Sequence, residues 1–312
     1  MTKIICQGLE GSNPLAFMAA IGAFRTIALS PPYKPTKIHW TNENGVWNPI
    51  LSTSDNLSCK SLVALLTEQL NNKANQTVFS ISDNLTIPCD QYSKLAFKEA
   101  EKCSPNDRRY VDFLAAFGSE AIESSNSGKS ERLISDTAFR TMGGAGHQHF
   151  VGSMRTLAAD TTDEHIFKAL FSIWKYDDPA ENHTMRWDPQ DDVRYALRWR
   201  NSSGDPTRKK SGSMWGANRL AIEALPLMPT MPTNGRLETS GFTYRENKFI
   251  WTWPIWTQPI DLDVLRSILS IKELQSKAPN RKFLASIGID EIFQCNRITT
   301  GKFRNFTPSW PA

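Results

Sequence analysis

The chain has 312 residues, 40% hydrophobic and 22% charged, with a formal net charge of +4. This composition excludes a disordered or fibrous chain and fits about two domains, or one large α+β domain. No apolar run approaches the ~18 residues that cross a bilayer, Met1-Thr2-Lys3 opens no secretory leader, and five scattered cysteines without a Cys-x-x-Cys argue for a cytoplasmic protein with reduced thiols.

Lys3 to Cys6 reads as a short strand and Gly8 to Ser12 as a turn. Asn13 suits a helix N-cap and Pro14 the first helical position, so a helix is expected to about Ala28. Phe17, Ile21, Phe24 and Ala28 form its stripe, and Pro31-Pro32 forbids continuation. This strand-turn-helix opening implies an α+β fold with a mixed or antiparallel sheet and flanking helices. Ile38 to Thr41 and Val78 to Ile81 read as strands, and Ser58 caps a helix carrying Leu62, Leu65, Leu66 and Leu70. A further helix is expected over Arg108 to Ile122, with Tyr110, Phe113, Leu114 and Phe117 inward. Residues 124–130 have the composition of a linker or exposed loop. They separate an N-terminal α/β part (1–123) from a C-terminal α+β part (131–312), unless the whole is one continuous domain. A second flexible stretch is expected at Gly143 to Gly146. Thr161 and Glu164 match a capping box for a helix burying Ile166, Phe167, Leu170, Phe171 and Trp174. Trp215 to Leu225 reads as a helix stopped by Pro226, followed by proline-rich turns. Phe242–Arg245 and Lys248–Trp253 form a hairpin around Glu246-Asn247, and Asp261 caps a last helix with Leu265, Ile268 and Leu269.

The basic charge is local. Val193 to Arg200 alternates so that, in a strand, Arg194, Arg198 and Arg200 share one face while Val193, Tyr195, Leu197 and Trp199 share the other. Arg208, Lys209, Lys210 and Arg219 follow, giving seven basic residues and one acid between 193 and 219, or +6; the remainder of the chain sums to −2 (4 − 6). A concentrated basic-aromatic segment points to a polyanion, with nucleic acid first. Arg194, Arg198 and Arg200 would contact phosphates, and Arg208, Lys209 and Lys210 would form a basic loop. Asn218 and Arg219 would reach base edges. Trp215, or less readily the inward Trp199, would stack on a base. The tail adds Arg297, Lys302 and Arg304 with Phe303 and Phe306. Most of the ten tryptophans otherwise suit core packing.

Other constellations are weaker. His147-Gln148-His149 places two imidazoles on one face of an extended chain, and Asp136, Asp188, Asp191, Asp192 or His183 would have to complete a metal site. On that reading the protein is a metal-dependent nuclease or phosphohydrolase. Asp188 to Asp192 suits a turn and salt bridges with Arg186 and Arg194 better than acid–base work. The glycines of Gly8 to Asn13 match neither a dinucleotide fingerprint nor a phosphate-binding P-loop, which leaves a tight reversal into the helix. No hydrolase signature stands out, and the residues imply no cofactor.

Several stretches resemble a family. These are Gly8-Leu9-Glu10-Gly11-Ser12-Asn13-Pro14-Leu15-Ala16-Phe17 with Ala19-Ala20-Ile21-Gly22 and Arg25, Arg186-Trp187-Asp188-Pro189 with Asp192 and Arg194 to Arg198, Gly216 to Ala221 with Glu223 to Leu227, and Arg297 to Arg304. Together they resemble CRISPR-associated proteins of the type I-G neighbourhood, without any helicase or HD-nuclease motif. The resemblance implies a cytosolic, non-nuclease subunit of an RNA-guided antiviral complex, where guide pairing reads sequence and protein groups hold backbones. Its partners would be guide RNA or target DNA and other subunits, with no membrane. A pure assembly role, docking other proteins through proline and tryptophan surfaces, is the remaining alternative.

Overall fold

A computed structural model describes residues 2–30, 35–54, 56–104, 107–124, 131–144, 148–191, 212–300 and 303–312. Strand β1 (Thr2–Ile5) leads into helix α1 (Pro14–Ala28), whose N-cap Asn13 accepts the Ala16 N–H at 3.0 Å. Helix α1 is buried on every face, so it runs through the core instead of lying on it. Strands β2 (Thr36–Glu43) and β3 (Val46–Thr53) form a hairpin through Asn44 and Gly45, both left-handed as a two-residue turn requires. The first sheet is antiparallel with order β1-β3-β2.

Helices α2 (Cys59–Asn71), α3 (Lys73–Gln76), α4 (Cys89–Lys102) and α5 (Arg109–Phe117) follow. Val78 to Ile81 is not a strand: Thr77–Ser80 is a 3-10 turn, and so short an apolar run carries no decisive period. The helix expected to reach Ile122 stops at Gly118. Strand β4 (Gly118–Glu123) pairs there with β5 (Ile134–Asp136), so ladder formation overrides the helical pattern. Helices α6 (Phe150–Asp160) and α7 (Asp163–Phe171) come next. The capping box of α7 is Thr162 with His165, one residue beyond the expected pair, and Phe167 is 37% exposed instead of buried.

Strand β6 (Asp178–Pro179) pairs with β7 (Gly212–Ser213), and α8 (Trp215–Ile222) gives way to a 3-10 turn over Leu225–Leu227. Strands β8 (Thr230–Thr233) and β9 (Arg236–Thr239) form a hairpin in the stretch where the sequence suggests only proline-rich turns. Strands β10 (Phe242–Arg245) and β11 (Lys248–Ile255) turn at Glu246-Asn247 as the sequence indicates. Asp261 caps α9 (Leu262–Leu269), accepting two N–H groups. Helix α10 (Arg281–Ser286) and strands β12 (Glu291–Thr300), β13 (Phe303–Phe306) and β14 (Trp310–Pro311) complete an antiparallel sheet of order β10-β11-β12-β13, with β14 also on β12.

The fold is α+β. Phe17 of α1 packs between the sheets, with its ring 5.8 Å from Trp40 of β2 and 5.8 Å from Trp253 of β11. Among the described residues, the larger of two buried hydrophobic clusters runs from Ile4 to Phe306, so the two parts divided at 124–130 share one interior. Segment 125–130 itself lies outside the described residues. Helices α1 and α8 touch closely: a Cβ on Gly22 would sit 2.0 Å from the Leu220 carbonyl oxygen. Among the described residues, no helix is long and apolar enough to cross a membrane.

Candidate nucleic-acid interface

The basic segment, and with it Arg194, Arg198, Arg200, Arg208, Lys209 and Lys210, lies outside the described residues, as do Lys302, His147 and Trp199. Both of its stems are described, and both rest on Tyr176. Before the segment, the Tyr176 hydroxyl donates to buried Asp188 at 3.0 Å, and Thr184 Oγ1 donates to Asp191 at 2.8 Å. After it, Gly212 packs against the Tyr176 carbonyl so closely that a Cβ would lie 1.5 Å from the oxygen. Ser213 then pairs with Asp178 across β6 and β7. One residue therefore clamps both ends of a chain segment that holds six cations and two acids between residues 192 and 211.

Trp215 follows at the start of α8. Its indole N–H donates to the Pro179 carbonyl at 2.6 Å, and its ring stacks on His183 at 3.9 Å and 10°. His165 lies 4.8 Å away at 33°. The aromatic partner that sequence reasoning assigned to a base is thus supplied by the protein. His183 is in turn held by Asp160 at 2.7 Å, and His165 faces Asp178 at 3.7 Å.

Asn218 and Arg219 require a correction, because neither is a surface group. Asn218 is 0% exposed; its side chain accepts the Met185 N–H at 2.8 Å and donates to Ser213 Oγ and the Met214 carbonyl. It ties the pre-segment loop to α8 and has no free edge for a base. Arg219 is 1% exposed, donating to Glu223 at 2.8 Å and to the Leu70 carbonyl at 2.9 Å. The tail divides. Arg304 is half-buried and donates to the Arg140 carbonyl at 3.3 Å. Arg297 is buried, donates to the Ala138 carbonyl at 2.6 Å and lies 4.1 Å over the Phe249 ring. Burial, with neighbouring Arg304, holds its pKa down to about 9. Phe306 is fully buried. Trp187, Trp251, Trp253 and Trp256 are core residues; three of their indole N–H groups bond the backbone carbonyls of Phe139, Gly11 and Ile38.

His149 caps the entry to α6, with Nδ1 2.8 Å from the Asn84 amide. Asp136 pairs with Arg140 instead of approaching an imidazole. Among the described residues, no group of three or more His, Cys, Asp or Glu side chains comes together to hold a metal ion. The glycine turn at Gly8 and Gly11 packs tightly on the core, consistent with chain reversal. It borders a cleft of about 370 Å³ with Glu10, Tyr176, Asp188 and Gln190, whose carboxylates disfavour a phosphate.

Sequence reasoning missed a buried charge cluster elsewhere. Glu223, at the end of α8, is 0% exposed and is gripped by both terminal nitrogens of Arg109, by Arg219, and by Arg25 at 3.5 Å. Burial alone would raise its pKa, but the guanidiniums of Arg109, Arg219 and Arg25 pull it well below the ordinary carboxylate range. The available signal was a lone Arg25 within an otherwise apolar helix, which cannot be buried without a partner. No family model, curated protein or solved structure matches the chain.

Proposed function

We propose that this chain is a non-catalytic nucleic-acid-binding subunit of an RNA-guided, CRISPR type I antiviral complex in the cytoplasm, contacting guide RNA or target DNA through its backbone phosphates. The observation that carries the reading is the concentration of six cations between residues 192 and 211 on stems fixed by one tyrosine. Phosphate neutralisation by clustered Arg and Lys supplies sequence-independent affinity, and that suits a subunit that leaves base reading to a guide. The family resemblance supports the biological setting. With Asn218 and Arg219 buried, the reading rests on backbone contact alone.

The test is co-purification of the intact chain from its native host, with mass spectrometry of proteins and sequencing of retained nucleic acid. Guide-like RNA together with defined protein partners is expected. Recovery of the chain alone, free of nucleic acid, would overturn the proposal.

A further inference from the structure

A cavity of about 720 Å³ opens between α1, α5 and the end of α8, and shares no lining residue with the stems of the basic segment. Its volume falls within the range of small-molecule sites. Arg25 lines it, 1% exposed, with Nη1 3.5 Å from Glu223 and Nη2 3.8 Å from Asp112. Among the described residues, its Nε and Nη2 have no hydrogen-bond partner. Arg108 reaches Asp112 at 3.3 Å and stands 59% exposed at the mouth. Arg109 lies between them, holding Glu223 and the Asn75 carbonyl.

The local charges do not balance. Arg25, Arg108, Arg109 and Arg219 surround Asp112 and Glu223, which gives +2 (4 − 2). On the rim, Arg266 is paired with Asp263 at 2.9 Å, so the Asp107 carboxylate lowers the sum around the cavity to +1 (2 − 1). Backbone carbonyls of Leu70 and Asn75 accept from Arg219 and Arg109 but bring no formal charge. Burial, and after it nearby Arg109, lower the Arg25 pKa to about 10 against the opposing pull of Glu223 and Asp112.

We propose that this cavity binds a phosphomonoester dianion. Such a group carries close to −2 charge at neutral pH and three acceptor oxygens, opposite in sign to the net positive charge of the cavity and complementary to its guanidinium donors. The amides of Gln69 and Asn72 and the apolar side chains of Leu29 and Pro226 line the space left for the esterified part. The phosphoryl group belongs either to a free nucleotide or to a phosphorylated strand end. The inference stands apart from the basic segment, so either proposal can fail alone.

The test is calorimetric titration of the intact protein at fixed ionic strength with inorganic phosphate, AMP, a 5′-phosphorylated dinucleotide and its dephosphorylated form. Saturable binding of inorganic phosphate and of at least one ester is expected, and none for the dephosphorylated dinucleotide. AMP alone would assign the free nucleotide, and the phosphorylated dinucleotide alone the strand end. Arg108→Gln, at the exposed mouth, should weaken binding about tenfold, as loss of a charge-assisted bond does. Arg25→Gln should abolish binding, and Lys209→Ala/Lys210→Ala should leave it unchanged. Should Arg25→Gln fail to fold, Arg108→Gln still decides. Absence of saturable phosphate binding, or equal affinity in Arg108→Gln, would overturn the proposal.

Discussion

Replacing Glu223 by Gln removes the carboxylate from a site that three guanidiniums share. The inner cluster then rises from +2 to +3 (4 − 1), and Arg109, Arg219 and Arg25 lose their common anion. Arg219 and Arg25 are each 1% exposed, so water replaces the lost anion poorly at both, while Arg109, 20% exposed, is the better hydrated of the three. Removing one partner of a buried ion pair costs about 3–5 kcal/mol, a large part of the ~5–15 kcal/mol that holds a typical domain folded. At about 2 °C per kcal/mol for a chain of this length, the melting temperature should fall by about 6–10 °C. The assay is urea and thermal unfolding of wild type and Glu223→Gln at neutral pH and through the acid range. The pH dependence carries its own sign. The folded-state pKa of Glu223 lies below its ordinary 4.5, so its contribution is present above that value and is lost as the pH falls beneath it. The gap between wild type and variant should therefore narrow in acid. A variant within about 0.5 kcal/mol of wild type at neutral pH, the spread of an ordinary surface change, or a gap that widens in acid, would refute the cluster's role.

Two further substitutions probe the frame. Gly22→Ala drives a methyl into the Leu220 carbonyl, 2.0 Å away, and should cost about 3 kcal/mol or more by forcing α1 and α8 apart, read as a lowered urea midpoint. Asn218→Leu strands the buried Met185 N–H and should cost about 1–3 kcal/mol. Amide hydrogen exchange should quicken at Met185 in that variant, and unchanged protection there would count against the tie between loop and helix.

The legible parts of the chain are local. Asn13-Pro14 before an apolar run, Asp261 before Leu265 and Ile268, and the Glu246-Asn247 turn are signals that neighbouring residues complete among themselves, and all three formed. Strand β12 and helix α4 carry no such punctuation, and the pairing of β12 with β11 and β13 is set by partners far along the chain. Gly118 ends α5 because residues 118–123 pair with β5, a long-range ladder that no helical period announces. The candidate site failed where charge was counted without burial. Arg219 belongs to no surface sum, because Glu223 lies four residues on and neutralises it inside the core. The same blindness hid Arg25, whose partners lie on α5 and α8.

The most direct measurement is the salt dependence of nucleic-acid affinity for wild type and the Arg198→Ala/Arg200→Ala variant. Wild-type affinity should fall linearly on logarithmic axes as salt rises. The variant slope should be shallower by about 1.4–1.8 units if each arginine holds one phosphate. Binding that ignores salt, or two identical slopes, would contradict the assignment of residues 194–210 to a phosphate backbone.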